Sequence, residues 1–274
     1  MVRLLLALTA CSHGVSAPAS SAFVDSCEPS ALVRLGDHWL VGDNEVEDRL
    51  FVYAADMRPM PFRALPERVE DIEALVVSGA EVLVIGSHSR SKSGKARPDR
   101  RRVVRTTGPS FSLDLAACPA CVAAEPLAPD SGGFNIEGAA LAGPDLLLGL
   151  RSPLDAGRAQ ILVVSLGADA GHIQRVLSLD LGGAGVRDLV PFRGGFLLLA
   201  GPPADGNQPH TLWFLSGLDA VPERLPVSLP PSTEGVWALD DRHLRYVIDG
   251  SGESAPCPTP GRWADVEIPA GPTH

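Results

Sequence analysis

The chain has 274 residues, of which 45% are apolar and 5% aromatic, so a sizeable core must consist mainly of aliphatic side chains. Its formal net charge of -10 argues against general nucleic-acid binding, which requires a basic surface. The 28 glycines and 25 prolines are scattered between short apolar runs. This pattern predicts an all-β fold with many short strands joined by turns.

The N-terminal segment has the pattern of an export signal. Arg3 precedes an apolar run over residues 4–8, and residues 8–11 read Leu-Thr-Ala-Cys. A basic start, an apolar stretch and a small residue before the cleavage point are typical of secretory signal peptides. The Leu-Thr-Ala-Cys sequence also resembles the lipobox of bacterial lipoproteins. That resemblance implies that Cys11 becomes the lipidated first residue of the mature protein, with Ser12 favouring outer-membrane retention.

These features divide the chain into a lipoprotein signal peptide (residues 1–10), a flexible tether (residues 11–21) and a single domain (residues 22–274). We expect the protein to be exported and lipid-anchored in the bacterial cell envelope, on the periplasmic side or at the outer membrane. Plain secretion and a chance cysteine in a cytosolic N-terminus are the alternatives. No later apolar run approaches the roughly 20 residues that a membrane-spanning helix needs.

Four further cysteines follow Cys11, and an exported protein lies where disulfides form. Three pairings of four cysteines are available. We favour Cys27 with Cys257, near the two ends of the domain, and Cys118 with Cys121 as a tight local loop. The Cys-Pro-Ala-Cys spacing also suits a redox motif or half of a zinc site, but the chain has no second CxxC.

A basic segment lies between Arg90 and Arg105, with eight Lys or Arg residues and one acid, Asp99. It is interpreted either as a solvated loop or as a clamp for an anionic ligand or an anionic membrane surface.

Five segments of the chain share one pattern, in which a polar head precedes two apolar strands joined by a Gly or Asp turn. The heads are Glu28, Glu73, Glu137, Arg187 and Glu234, at steps of 45, 64, 50 and 47 residues. A repeat of this length with about four strands predicts a β-propeller of about five blades; a β-sandwich or barrel is the alternative. The fifth unit is irregular and short of strands. We expect a strand around Ala22–Asp25 to complete it and cover its edge.

The first strand of each propeller blade lines the central channel, so the repeated heads should meet at one end of it. The ends of the second strands surround them. The predicted ligand-binding residues are therefore Glu73, Ser87, His88, Arg90, Asn135, Glu137, Arg151, Arg187, Asp188 and Glu234, with Glu28 completing the ring. Carboxylates so close together need Arg187 and Arg151, or a cation such as Ca²⁺, to neutralise them. The alternative is that they only accept backbone hydrogen bonds from neighbouring blades.

Several motifs occur in a fixed order between Ala31 and Gly250. They are Asp-Ile-Glu-Ala (71–74), Gly-Ser-His-Ser-Arg (86–90), Asn-Ile-Glu-Gly (135–138), Gly-Leu-Arg-Ser-Pro (149–153), Leu-Gly-Gly-Ala-Gly-Val-Arg-Asp (181–188), Leu-Ala-Gly-Pro (199–202) and Glu-Gly (234–235). Together they resemble the bacterial family known as domain of unknown function 3616. The resemblance implies a propeller-like domain and no established activity. Ser152 and Ala184 stand where the family often has Gly and Leu.

Two functions fit these features. The favoured one is an envelope lipoprotein that binds a ligand or partner at the Glu/Arg-ringed face. The alternative is a calcium-dependent hydrolase of phosphoesters, esters or lactones, with His88 as base and Arg90, Arg151 and Arg187 binding an anionic group. Its metal ligands would be Glu73, Asn135, Glu137 and Glu234. Binding is favoured because no complete set of nucleophile, base and orienting residue is found.

Overall fold

The computed structural model describes residues 19–167, 170–251 and 256–269. The predicted signal peptide, Cys11 and most of the tether lie outside the described residues. Within the described ranges, 20 strands form five small sheets arranged as the blades of a propeller. The prediction of a five-bladed β-propeller is therefore confirmed over a sandwich or barrel.

The strands follow one another with few helical interruptions. In chain order they are β1 (Ser21–Ala22), β2 (Pro29–Leu35), β3 (His38–Asp43), β4 (Val46–Tyr53), β5 (Pro59–Ala64), β6 (Ile72–Ser78), β7 (Glu81–Gly86), β8 (Val103–Arg105), β9 (Ser112–Asp114), β10 (Asn135–Ala142), β11 (Asp145–Asp155), β12 (Arg158–Leu166), β13 (Ala170–Leu179), β14 (Gly185–Phe192), β15 (Gly195–Gly201), β16 (His210–Leu215), β17 (Glu223–Leu229), β18 (Thr233–Ala238), β19 (His243–Ile248) and β20 (Arg262–Glu267). One short helix, α1 (Pro119–Ala124), follows β9. Among the described residues, no helix is long and apolar enough to cross a membrane.

The blades follow the chain order. Blade 1 is β2–β5, blade 2 is β6–β8, and blade 4 is β14–β17. Blade 3 is β10–β13, with β9 added in parallel beside β13. Blade 5 combines β18–β20 with β1 from the N-terminal end. The innermost strands β2, β6, β10, β14 and β18 contact one another in turn and close the ring.

The ring is closed by pairing the two ends of the domain. Ser21 pairs with Trp263 on β20, so an N-terminal strand completes the last blade, as the incomplete fifth repeat predicts. A disulfide joins Cys27 to Cys257 close to this junction, with a Cα–Cα distance of 5.4 Å. The strand lies one residue before the predicted start at Ala22.

The apolar core is divided among the five interfaces between neighbouring blades. Five clusters of buried side chains occupy these interfaces, each drawing residues from two adjacent blades. On β11, Leu146 and Leu148 face blade 2 while Leu147 faces blade 4. Because successive residues of a strand point to opposite faces, a strand packed on both sides must be apolar throughout. This explains the uninterrupted aliphatic runs.

The long step of 64 residues in the repeat includes an irregular segment after β8, which contains β9 and α1. Pro119 starts α1, where a fixed φ suits the first helical position. Cys118 caps the helix by accepting the Cys121 backbone N–H, and the two cysteines form the second predicted disulfide. Both are buried in the core between blades 2 and 3. The Cys-Pro-Ala-Cys sequence is thus part of the packing.

The basic segment is held against the propeller by ion pairs. Arg97 and Arg100 contact Glu70, and Arg101 contacts Glu125. Arg102 and Arg105 pair likewise with Glu67 and Glu81. These arginines neutralise acids of the same domain, so they offer little unpaired charge for an anionic clamp.

Candidate functional site

All five innermost strands carry a β-bulge at the same place. In each bulge, one residue of the innermost strand has no partner in the second strand of the blade. The residues before and after it pair with two adjacent residues of that second strand. The unpaired residues are Ser30, Glu73, Glu137, Arg187 and Glu234. A bulge adds local twist and redirects a side chain. The four charged ones all line one cavity at the end of the channel.

The bulges correct the predicted head of blade 1. Ser30, and not Glu28, occupies the position equivalent to the other heads, and its hydroxyl donates to the Ile72 carbonyl of blade 2. Glu28 precedes β2 but still lines the cavity. The sequence repeat was aligned on its acidic residues. The equivalent positions are instead set by which residues pair between the first and second strands of each blade.

The residue after the bulge explains the recurrent Glu-Gly sequence. A Cβ atom on Gly138 would lie 2.8 Å from the backbone carbonyl carbon of Asp188 and 2.8 Å from the Leu189 nitrogen. On Gly235 it would lie 3.2 Å from the Leu32 nitrogen. Glycine therefore lets neighbouring innermost strands approach closely, while the preceding glutamate points into the cavity.

The central cavity has a volume of about 420 Å³ and a strongly acidic wall. Nine of its lining residues are acidic: Glu28, Glu45, Asp71, Glu73, Asp130, Glu137, Asp205, Glu234 and Asp249. Four are basic: Lys92, Arg100, Arg151 and Arg187. A larger groove of about 640 Å³ lies on blade 1, but it contains none of the predicted site residues. The central cavity is therefore the candidate site.

Arg187 is the centre of a buried ionic network in this cavity. Its Nε lies 2.9 Å from Glu137 Oε2, and its Nη2 contacts Glu234 Oε2. Arg151 extends the network, with Nη1 3.1 Å from Glu137 Oε1 and Nη2 2.8 Å from Asp205 Oδ1. The predicted convergence of the heads of blades 3, 4 and 5 is seen directly in these contacts.

Asn135 joins the same network from the start of β10. Its Nδ2 donates to Glu137 Oε1 at 2.9 Å. Its side chain is buried, and its Oδ1 has no hydrogen-bond partner among the described residues. Glu73, the head of blade 2, lines the cavity without a salt bridge to any described residue.

Burial raises the pKa values of several acidic residues in the cavity. It raises the pKa of Glu137 to about 7, against the opposing charges of Arg187 and Arg151. Burial and the nearby carboxylates of Asp71 and Glu137 raise the pKa of Glu73 well above its usual range. The pKa of Asp249 rises to about 8, through burial and the charge of Glu234. Several of these acids are therefore poised to bind protons or a cation near neutral pH.

Asp188 has a structural role. Its two carboxylate oxygens accept the backbone N–H groups of Leu189 and Val236, both at 2.7 Å. It thereby ties blade 4 to blade 5, as the backbone-bonding alternative describes. Burial raises the pKa of Asp188 to about 7. Ser87 is also structural, since it is fully buried with its hydroxyl 2.8 Å from that of Ser89.

Four of the predicted ligand-binding residues do not line the central cavity: Ser87, His88, Arg90 and Asp188. His88 has φ of 59°, its Nδ1 lies 2.9 Å from the Gly86 carbonyl, and it lines a separate cavity of about 380 Å³. Burial lowers its pKa to about 4. Arg90 donates to the carbonyl and carboxylate of Glu125. The left-handed turn after β7 sends Ser89 to the central cavity and His88 elsewhere, so His88 is not placed as a base beside the carboxylates.

The predicted calcium ligands do not fit a metal site. No group of three or more His, Cys, Asp or Glu side chains in the described ranges is arranged to hold a metal ion. Glu137 and Glu234 direct oxygens at Arg187, which occupies the place where a cation would neutralise them.

Sequence reasoning missed several residues of the site, and His210 and Asp205 are two of them. His210, at the start of β16, is buried against Gly201, and burial together with the charge of Arg187 lowers its pKa to about 4. Asp205 lies between β15 and β16 and contacts both Arg151 and Lys92. His210 begins the third strand of blade 4, and Asp205 lies in the loop that precedes this strand. Neither position has a signal in the repeat.

Comparison with solved structures finds other chains of low sequence identity. A putative oxidoreductase (glucose dehydrogenase) from Thermus thermophilus is 13% identical, with a TM-score of 0.47, over 91% of this chain and 100% of that one. A virginiamycin B lyase from Staphylococcus aureus is 10% identical, with a TM-score of 0.40, over 89% and 98%.

A search of curated proteins gives no match to this sequence. The family described as Protein of unknown function (DUF3616) does match, over residues 126–226. These residues span β10–β13 of blade 3 and most of blade 4, and so include Glu137, Arg151 and Arg187. The match confirms the resemblance noted from the ordered motifs, and over these two blades the chain is similar to the DUF3616 family.

Proposed function

We propose that this chain is a ligand-binding propeller of the cell envelope, with its ligand in the central cavity. The observation that carries the proposal is the Arg187 network, whose charges are buried yet line an open cavity. Buried ion pairs are often no more stable than apolar side chains of similar size, so stability alone does not account for them. Acidic residues with shifted pKa values that converge in a concave pocket are typical of functional sites.

Binding has more support than hydrolysis. A hydrolase needs a base or a metal-bound nucleophile next to the group that binds the substrate. His88 lies in another cavity, and Glu137 and Glu234 are paired with Arg187. Among the described residues, the predicted base is thus not assembled beside the predicted metal ligands, whereas the groups that could recognise a ligand do line the cavity.

The binding proposal is tested with the full chain carrying Cys11→Ser, which removes the proposed lipid. Thermal unfolding is followed against a panel of small cations, anions and neutral sugars. A ligand at 100 times its Kd adds about 2.7 kcal/mol, which raises the Tm of a protein this size by about 5–10 °C. Glu73→Gln should reduce the shift, whereas Glu223→Gln on the outer strand of blade 4 should not. The proposal is contradicted if no compound in the panel gives a rise in Tm that Glu73→Gln reduces.

We further propose that the domain is anchored by a lipid on Cys11, exported to the periplasmic side or the outer membrane. Its partners would then be the membrane and a small-molecule or protein ligand, without nucleic acid. Support comes from the lipobox-like sequence at residues 8–11. β1 is the outermost strand of blade 5, opposite the channel, so an anchor there leaves the cavity accessible. Cys11→Ser should release the protein from membranes; unchanged fractionation contradicts the anchor.

A further inference from the structure

We infer that the ligand of the central cavity is a small organic cation with N–H groups, such as a primary alkylamine or a diamine. This inference rests on the proposed function, because it names the chemical class that the same cavity accepts. Three features of the described wall carry it: the pairing of its cations, its unpartnered acceptors and its lack of Phe, Tyr and Trp side chains.

The cations of the wall are already paired with carboxylates. Arg187 contacts Glu137 and Glu234, and Arg151 contacts Glu137 and Asp205. Lys92 also contacts Asp205, and Arg100 contacts Glu70 and Asp71. An anionic ligand would compete with these carboxylates for the same guanidinium and ammonium groups. With nine acids against four bases, the cavity instead has an excess of negative charge.

Two carboxylates of the wall account for part of this excess. Glu73 and Asp249 make no salt bridge with any residue in the described ranges, although both line the cavity. Both have a raised pKa, caused first by burial and then by neighbouring carboxylates. A bound cation would relieve the repulsion among these groups and favour their ionised forms.

The unpartnered polar atoms of the wall include three acceptors. Asn135 is 4% exposed, and because its Nδ2 donates to Glu137, its Oδ1 must be the free end of the amide. That Oδ1 has no partner among the described residues, and neither do Asn44 Oδ1 and Asp249 Oδ1. A buried acceptor without a donor costs free energy. A ligand that supplies N–H donors would satisfy them.

The lining residues narrow the class of cation. Those in the described part of the chain include no Phe, Tyr or Trp, whereas quaternary ammonium groups are recognised by the faces of such rings. The acids are not arranged to hold a metal ion within the described ranges. A primary ammonium has three N–H donors and suits separate carboxylate and amide oxygens.

The test is isothermal titration calorimetry on the full chain with Cys11→Ser. The probes are 1,4-diaminobutane, its fully N-methylated bis-quaternary analogue and Ca²⁺, together with a neutral sugar and a dicarboxylate. We expect the diamine to bind at least tenfold more tightly than its quaternary analogue. Affinity should also rise between pH 6 and pH 8.5, as the acids of the wall ionise. Equal binding of the two analogues would overturn the inference.

Variants locate the binding. Glu73→Gln and Asn135→Ala should each weaken diamine binding about tenfold, while Glu223→Gln should leave it within twofold. If Asn135→Ala unfolds, Asp249→Asn takes its place. Diamine binding that neither cavity variant weakens would overturn the inference. If the sugar or the dicarboxylate binds instead, and Glu73→Gln changes that binding, the amine class is wrong but the cavity remains the ligand site. If no probe binds, the proposed function fails as well.

Discussion

The Nε atom of Arg187 lies 2.9 Å from Oε2 of Glu137, and the two side chains are 8% and 3% exposed. These residues are the heads of neighbouring blades, so the contact joins blade 3 to blade 4 at the channel mouth. Arg187 also contacts Glu234 from blade 5. One guanidinium therefore holds three blades together at the candidate site. Burial opposes its charge, but the carboxylates of Glu137 and Glu234 raise the pKa of Arg187 above its usual value.

Removing this guanidinium should be strongly destabilising. Arg187→Met leaves Glu137 and Glu234 without their shared partner, and breaking a buried pair costs about 3–5 kcal/mol. We expect the free energy of unfolding in urea at pH 7.5 to fall by that amount. The double variant Arg187→Met with Glu137→Gln should recover part of the loss, because one orphaned charge is removed. A single variant as stable as the wild type would show that the pair is not coupled to folding.

The stability should depend on pH through Asp249. Burial and Glu234 raise its pKa in the folded state to about 8, from an unfolded value near 3.8. A raised carboxyl pKa means that the folded state binds more protons, so this contribution is complete below about pH 4 and is lost as the pH rises through 8. Asp249→Asn should therefore gain stability relative to the wild type between pH 4 and pH 8. Chemical denaturation at several pH values measures this; a constant difference would contradict the assignment.

The disulfide between Cys27 and Cys257 should contribute to stability through ring closure. It joins residues 230 positions apart, so it restricts most of the unfolded chain. Replacing both cysteines by serine should lower the free energy of unfolding by about 2–5 kcal/mol. Treating the same variant with a reductant is the control, since reduction should then have little further effect on this junction. A variant as stable as the wild type would mean that β1 and β20 close the ring without the disulfide.

The close approach of blades 3 and 4 predicts a penalty at Gly138. Its substitution by alanine places Cβ 2.8 Å from the Asp188 backbone, where no flexible side chain gives way. Overpacking of this kind costs about 1–3 kcal/mol. Gly217→Ala is the matched control, because a Cβ there meets no atom within 4 Å. Thermal unfolding of the two variants should differ by several degrees, and equal Tm values would contradict the close packing.

The fold could be predicted largely from the sequence. The repeated apolar strands, the incomplete fifth unit and the cysteines near both ends indicated a propeller closed by its N-terminus. These are local patterns or simple consequences of closure, so they can be read from residue order. The blade 1 head was placed wrongly, at Glu28 instead of Ser30, because the acidic residues of the five segments were aligned without knowledge of which residues pair across the first two strands of the blade. Strand pairing is a property of two segments, and the pattern in one segment does not contain it.

The residues at the candidate site were predicted in outline, but the ion pairs between them were not. Sequence alone determined that Glu73, Glu137, Arg187 and Glu234 occupy equivalent positions, because the repeat places them there. Only the tertiary structure decided that Arg187 neutralises two of these glutamates and that His88 faces a different cavity. It also decided that Glu73 forms no salt bridge with any residue that the structure describes. The physical reason is that periodicity specifies which strand end a residue occupies. The direction of its side chain depends on bulges, on a single left-handed turn and on charges contributed by other blades.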